Sequence, residues 1–368
     1  MRGMAVQERV AQSVTTRPLA ASDLAAVGAL FLRQLGKPGI ESAADAAELL
    51  RRTLVDDPWA DESIPSLVSV APDGAIVGFI GSSVRHVRLD GEPLRAAYAS
   101  HLVADPSFPN RTIGFFLLRA FVRGPQDITL TDTATPQARA LWMGLGGAPL
   151  HNLATGWLQA LRPVSAAAAV GRDHGGRGAI FAQALGVLAP LVDRATGRFA
   201  GDARAPRPET VADDPLTPQD VLEHLAECAR PASLVPDYDE TFLAWVFGQL
   251  AGENARGSAR FRIVRVRGAV VGWYIYYLNP GGLCRVLQVM TRERHSDLVI
   301  GELYRDAFAG GAAALYGRLE PHTSEAILRR GALLRPLPRA VMHSRNPGAV
   351  DALLRGSSAL SWLDGEPW

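Results

Sequence analysis

The chain has 368 residues, 48% of them hydrophobic and 20% charged, which is too apolar for a disordered chain and long enough for two domains of about 150 residues each. Its 38 basic and 37 acidic residues leave a net charge of +1, so a broad, sequence-independent nucleic-acid surface is excluded. Two cysteines, Cys228 and Cys284, rule out a disulfide framework or a thiolate zinc cluster, and the eight histidines show no metal-ligand spacing, so no metal is expected.

Residues 1–16 lack the apolar run of a secretory signal. The apolar windows Val164–Val170 and Ala179–Val192, the latter broken by Pro190, are shorter than the roughly 20 residues that span a bilayer. A cytoplasmic protein with no membrane span is the expectation. In the first half, Leu24, Val27, Leu30 and Phe31 lie at helical spacing within Ala21–Leu35 behind an Ser22-Asp23 cap signal, and Ala43–Leu54 reads as a second helix. Strand-like runs follow at Leu67–Val70, Ala75–Val84 and Arg95–Val103, separated by turn signals at Pro72-Asp73-Gly74 and Asp90-Gly91, which predict antiparallel hairpins. Asp105–Arg111 reads as a polar loop, Thr112–Val122 as an apolar helix, Ile128–Thr131 as a strand, Pro136–Leu145 as a helix and Thr155–Leu161 as a closing strand.

The second half repeats this order. Gly74-Ala-Ile-Val-Gly returns as Gly268-Ala-Val-Val-Gly, and the pairs Leu102/Leu287, Pro136/Pro321 and Gly146/Gly331 are each 185 positions apart. A period near 190 is a duplicated domain rather than a short solenoid repeat. The division is 14–163, a linker 164–206 with one helix at Ala179–Asp193, and 207–368. The fold class is α/β (α+β), each copy a mixed, largely antiparallel sheet flanked by helices.

This order and these phrases resemble the GNAT (GCN5-related N-acetyltransferase) superfamily in tandem. Thr16-Arg-Pro-Leu looks like the entry to its first strand and helix, Val77-Gly-Phe-Ile like its third strand, and Leu102-Val-Ala-Asp-Pro followed by Asn110-Arg-Thr-Ile-Gly like its fourth strand and acyl-CoA loop. Thr135-x-x-Ala138-x-x-Leu141-Trp142-x-x-x-Gly146 matches its next helix. The phrase Leu363-Asp-Gly-Glu is similar to acetyltransferase-like proteins of bacterial exopolysaccharide loci. The resemblance implies an N- or O-acyltransferase that takes acetyl-CoA or another acyl-CoA as co-substrate and a small molecule, such as a sugar, as acceptor. It implies cofactor contacts at Leu102, Val103, Asn110, Arg111, Thr112, Ile113, Gly114 and Trp142.

Helix N-termini carry unpaired N–H groups and attract phosphates, and Arg111 would add a charged donor. Pro109 and Thr112 stand where the resemblance expects an Arg or Gln and a glycine, and Trp142 stands where it expects a tyrosine acid. An indole is a donor only, and these departures leave a non-catalytic binding or assembly module as the alternative. His101, Tyr98 and Asp132 are the candidate catalytic groups, His101 for its neutral-range pKa. A structural histidine and a helix-capping aspartate remain open readings. In the second copy Glu293 and Asp297 occupy the phosphate position, so acyl-CoA is expected only in the first. The run Trp273–Tyr277 alternates two faces, read either as core or as a sugar-stacking platform.

Overall fold

The computed structural model describes residues 14–35, 40–108, 112–174, 207, 211–252, 256–337 and 339–365. In the first half these form β1 (Thr15–Pro18), α1 (Leu24–Gln34), α2 (Ala43–Leu50), β2 (Leu67–Val70), β3 (Ile76–Leu89), β4 (Glu92–Ala104), α3 (Ile113–Val122), β5 (Ile128–Thr131), α4 (Pro136–Gly144), β6 (Ala148–Pro149) and β7 (Thr155–Ala160). After α5 (Pro163–His174) the second half supplies β8 (Val211–Pro215), α6 (Pro218–Cys228), β9 (Leu234–Pro236), α7 (Glu240–Ala251), β10 (Ser258–Val266), β11 (Ala269–Leu278) and β12 (Leu283–Thr291). It closes with α8 (Ser296–Ala309), β13 (Ala314–Arg318), α9 (Pro321–Arg329), β14 (Leu333–Pro336), β15 (Val341–Ser344) and α10 (Pro347–Arg355). The helix expected at Ala179–Asp193 lies outside the described residues, and the described connecting helix is α5.

Local chemistry accounts for most boundaries. Ser42 and Asp45 cap α2 reciprocally, Thr217 and Asp220 do the same for α6, and Thr135 Oγ1 accepts from the Ala138 amide at the start of α4, each satisfying amides that a helix start leaves unpaired. Asp90 and Gly91 both have positive φ, 50° and 92°, the conformation that lets a two-residue loop follow the strand twist between β3 and β4. Gly28 is fixed by close packing of α1 on α2: a Cβ there would lie 2.5 Å from the Ala43 carbonyl oxygen and 2.8 Å from the Ala47 amide. Gly28→Ala is therefore expected to push the helices apart and lower stability by about 1–3 kcal/mol, measured as a drop in the urea midpoint.

The spacing of 185 is visible in three dimensions. Pro136 and Pro321 each open a nine-residue helix, and Gly146 and Gly331 follow those helices at φ +84° and +74°.

The strands form two sheets of the described residues, one ordered β1-β2-β3-β4-β5-β15-β6 with β9 paired to β3, the other β14-β7-β13-β12-β11-β10-β8. This corrects the sequence reading of Thr155–Leu161 as the strand that closes its own sheet. Instead β7 lies antiparallel between β13 and β14, while β15 lies antiparallel between β5 and β6. Each half lends its last strand to the other, so a boundary at 163 does not follow sheet membership. Alternation of side chains along a strand fixes which face is buried but not which neighbour it pairs with. The Trp273–Tyr277 platform is also overturned. Trp273, Ile275 and Tyr277 enter one core of the second half, Tyr274 and Tyr276 the other, and all five are buried.

Candidate active site

The middle of β4 departs from regular pairing. Phe79 pairs with Val103 and Gly81 with Ser100, so His101 and Leu102 together oppose the single residue Ile80. His101 takes φ 55°, the left-handed conformation of the first residue in one class of β-bulge. On its other edge β4 pairs in parallel with β5 only from Ala96 to Tyr98. Beyond Tyr98 no strand among the described residues pairs with that edge of β4, so the β4–β5 ladder ends there and leaves a wedge between the two strands.

The two faces of this wedge differ. On one, Leu102, Ala104, Ala138 and Leu141 are partly buried hydrophobics bordering the core under α3 and α4. Thr112, the N-cap residue of α3, makes no side-chain cap bond to the helix, and among the described residues a Cβ on Gly114 would meet Leu141 Cδ1 at 3.7 Å. An apolar floor that ends at a helix N-terminus suits a chain with a phosphate end. Trp142, expected to touch the ligand, is instead 2% exposed within the core below this groove. Val103 points away, into the core beneath α1 and α2, so of the two residues only Leu102 has its side chain on the groove side. Thr112 is exposed at the helix start and Ile113 is buried. Asn110, Arg111 and Pro109 lie outside the described residues.

The opposite face is buried and polar. Tyr98 is 3% exposed, and its phenol is pushed well above its ordinary pKa, chiefly by burial and further by the carboxylates of Asp364 and Asp132. Beside it on the same face of β3 and β4, the hydroxyls of Ser83 and Ser100 are buried without a hydrogen-bond partner. Arg85 Nη1 pairs with Asp57 Oδ2 at 2.7 Å, both residues almost fully buried, and Arg85 Nε donates to the Asp364 carbonyl oxygen at 3.2 Å. His101 lies near this face, its ring edge-on to Phe31 of α1 with centroids 5.2 Å apart.

Asp364 comes from the far end of the chain. Its carboxylate accepts from Tyr238 Oη at 2.5 Å, the Ser361 amide at 2.7 Å and Ser361 Oγ at 2.9 Å. Burial raises its pKa against the pull of those hydrogen bonds and of Arg85. Gly365 lies directly against Asp132: a Cβ there would sit 2.3 Å from Asp132 Oδ2. Thus Tyr98 and Asp132, two of the residues singled out from sequence, meet around a segment of the second half. Asp364, Asp57 and Arg85 were missed. The available signals were the phrase Asp364-Gly365 and an arginine standing at the end of an apolar strand.

The corresponding wedge in the second half is filled. There β12 pairs with β13 only from Leu283 to Arg285, and a one-residue bulge falls at Leu287, the position equivalent to Leu102. Only about 10 Å³ of space remains among Val286–Val289, Arg318, Glu320 and Trp362. His322 Nε2 meets the Val289 carbonyl oxygen at 2.8 Å, so its imidazole donates to the strand edge that a ligand would need. Gln288 is held by Trp273, Tyr238 and Ser361, and the Arg285 guanidinium stacks over Trp362 at 4.5 Å. At the start of α8 the Asp297 carboxylate pairs with Arg329 and Arg330, which places a carboxylate where a phosphate would approach.

Among the described residues no three His, Cys, Asp or Glu side chains converge as metal ligands, and no helix is long and apolar enough to cross a membrane.

No protein-family model and no curated protein matches the sequence. Solved structures do. The chain aligns over 92% of its length with a GCN5-related N-acetyltransferase from Kribbella flavida, at 16% identity, TM-score 0.55 and 73% of that chain. It aligns over 92% with one from Anabaena variabilis, at 8% identity, TM-score 0.57 and 75% of that chain. It also aligns over 90% with the N-myristoyltransferase of Saccharomyces cerevisiae solved with bound myristoyl-CoA, at 10% identity, TM-score 0.53 and 79% of that chain. At these identities the likeness is one of fold, and the chain carries two GNAT-like domains.

Proposed function

We propose that this tandem GNAT-fold chain is an acyltransferase that takes an acyl-CoA in the wedge of its first domain and passes the acyl group to an amine or hydroxyl of a small acceptor, such as an amino sugar. The observation that carries the reading is the contrast between the two wedges: one is plugged by its own side chains, the other keeps an uncovered strand edge between an apolar groove and a buried polar face.

The chemistry follows from these two faces. Along the groove, Leu102, Ala138 and Leu141 contact the apolar arm, and the amides at the start of α3 hold the phosphates. The uncovered amides of β4 donate to the thioester oxygen, where negative charge develops as the acceptor attacks. On the polar face, Asp132 and Asp364 orient the acceptor and take its proton. Tyr98, kept neutral by burial, donates a hydrogen bond to the departing thiolate, which leaves as the anion or is protonated by solvent, while the proton taken from the acceptor passes from the carboxylate to water. Residues of both domains therefore contribute to one site.

Titration calorimetry with acetyl-CoA, followed by turnover on a panel of amines and amino sugars, tests this. Binding with 1:1 stoichiometry and release of free CoA on addition of an acceptor are expected. Binding without turnover on any acceptor would leave a binding module, and no heat at millimolar ligand would remove the reading. Gly114→Leu places a side chain in the groove beside Leu141 and is expected to weaken acetyl-CoA binding about tenfold or more, with an unchanged unfolding midpoint.

A further inference from the structure

A second cavity lies on the other side of α3. The groove described above runs along the flank where Gly114 faces Leu141 of α4. The opposite flank faces β1 and β2 and borders a cavity of about 300 Å³ lined by Thr16, Ser69, Ile113, Phe116, Arg119 and Arg123. Its composition is divided. Ile113 and Phe116 give it an apolar wall, and Phe116 stays 43% exposed although Leu117, Leu118 and Phe121 on the same helix are buried in the core. Arg119 and Arg123, four residues apart, project from one helical flank. Neither has an acidic partner among the described residues, in a chain where most described arginines are paired with a carboxylate or a carbonyl. On the facing strands, Thr16 Oγ1 and the buried Ser69 Oγ lie 3.4 Å apart, longer than a good hydroxyl hydrogen bond.

We propose that this cavity binds a small amphipathic anion, an apolar body carrying one carboxylate or phosphate head. The two guanidiniums match such a head with paired donors, Ile113 and Phe116 cover its apolar body, and the volume is at the lower end of small-molecule sites. The site is separate from the acyl-CoA groove and does not depend on the chain being an enzyme. A ligand there bears on the same helix whose first turn borders that groove.

Calorimetry on the full chain with decanoate and with decyl phosphate tests the proposal, with decanol and decylamine as neutral and cationic counterparts. One site for either anion, no binding of decanol or decylamine, and about tenfold or greater weakening in the Arg119→Ala/Arg123→Ala double variant are expected. Ala120 also lines the cavity and is exposed at its rim, so Ala120→Trp, which fills the cavity, should abolish binding. The anion should still bind when acetyl-CoA is saturating. Binding of neither anion, binding indifferent to both variants, or displacement of the anion by acetyl-CoA would each overturn it. Loss of acetyl-CoA binding in Gly114→Leu with decanoate binding intact would separate the two sites.

Discussion

Arg85→Leu is expected to lower stability by about 3–5 kcal/mol, because it strands the Asp57 carboxylate in the interior. Both side chains are essentially removed from water, 2% and 1% exposed, so the charge left behind has no solvent to turn to. One local donor remains, the Trp59 amide at 2.9 Å from Asp57 Oδ1. The guanidinium also bonds the Val84 and Asp364 carbonyls and lies 5.0 Å from the centre of the Phe242 ring, so it joins β3 to α7 and to the last described residues of the chain. The double variant Asp57→Asn/Arg85→Leu removes both charges and is expected to recover part of the loss. Denaturant midpoints of the two single variants and the double variant measure this; a single Arg85→Leu change below about 1 kcal/mol would mean that water reaches Asp57.

The second large effect is on turnover. Tyr98→Phe keeps the ring and its packing and deletes one hydroxyl from a residue that is 3% exposed. A purely structural Tyr98 would leave kcat unchanged in this variant, with only a small change in the unfolding midpoint. If the phenol donates to the leaving thiolate, kcat is expected to fall by about 10²-fold or more, with acetyl-CoA affinity and the unfolding midpoint unchanged. Unaltered kcat would take Tyr98 out of the chemistry and leave Asp132 and Asp364 as the polar groups to test.

How much of this could be read from the residues depends on how local each signal is. Ile128–Thr131 was delimited to the residue, and Pro136, Gly146 and their second-half counterparts marked helix ends, because capping and turn preferences act within a few positions. Tyr98 and Asp132 stand out in the sequence by their proximity to strand ends, and the fold brings both beside the segment of Asp364. The bulge at His101 was invisible: histidine at positive φ carries no sequence signature, and the extra residue shows only once β3 and β4 are aligned. Asp57, Arg85 and Asp364 span more than 300 positions, and each alone reads as a surface charge. Trp142 matched its phrase correctly, yet the indole is a core residue, so a match of position was not a match of role.

The crossed strands described for β7 and β15 bear on how such a molecule can arise and vary. A single half could satisfy its own sheet edge only by folding its last strand back or by pairing with a second copy, and here the second half of the same chain takes that place. Neither half can now be excised as an autonomous piece without exposing an open slot between two strands. Fragments cleaved between residues 174 and 211 should stay associated until denatured, and half-proteins produced separately should recover a soluble state chiefly in each other's company.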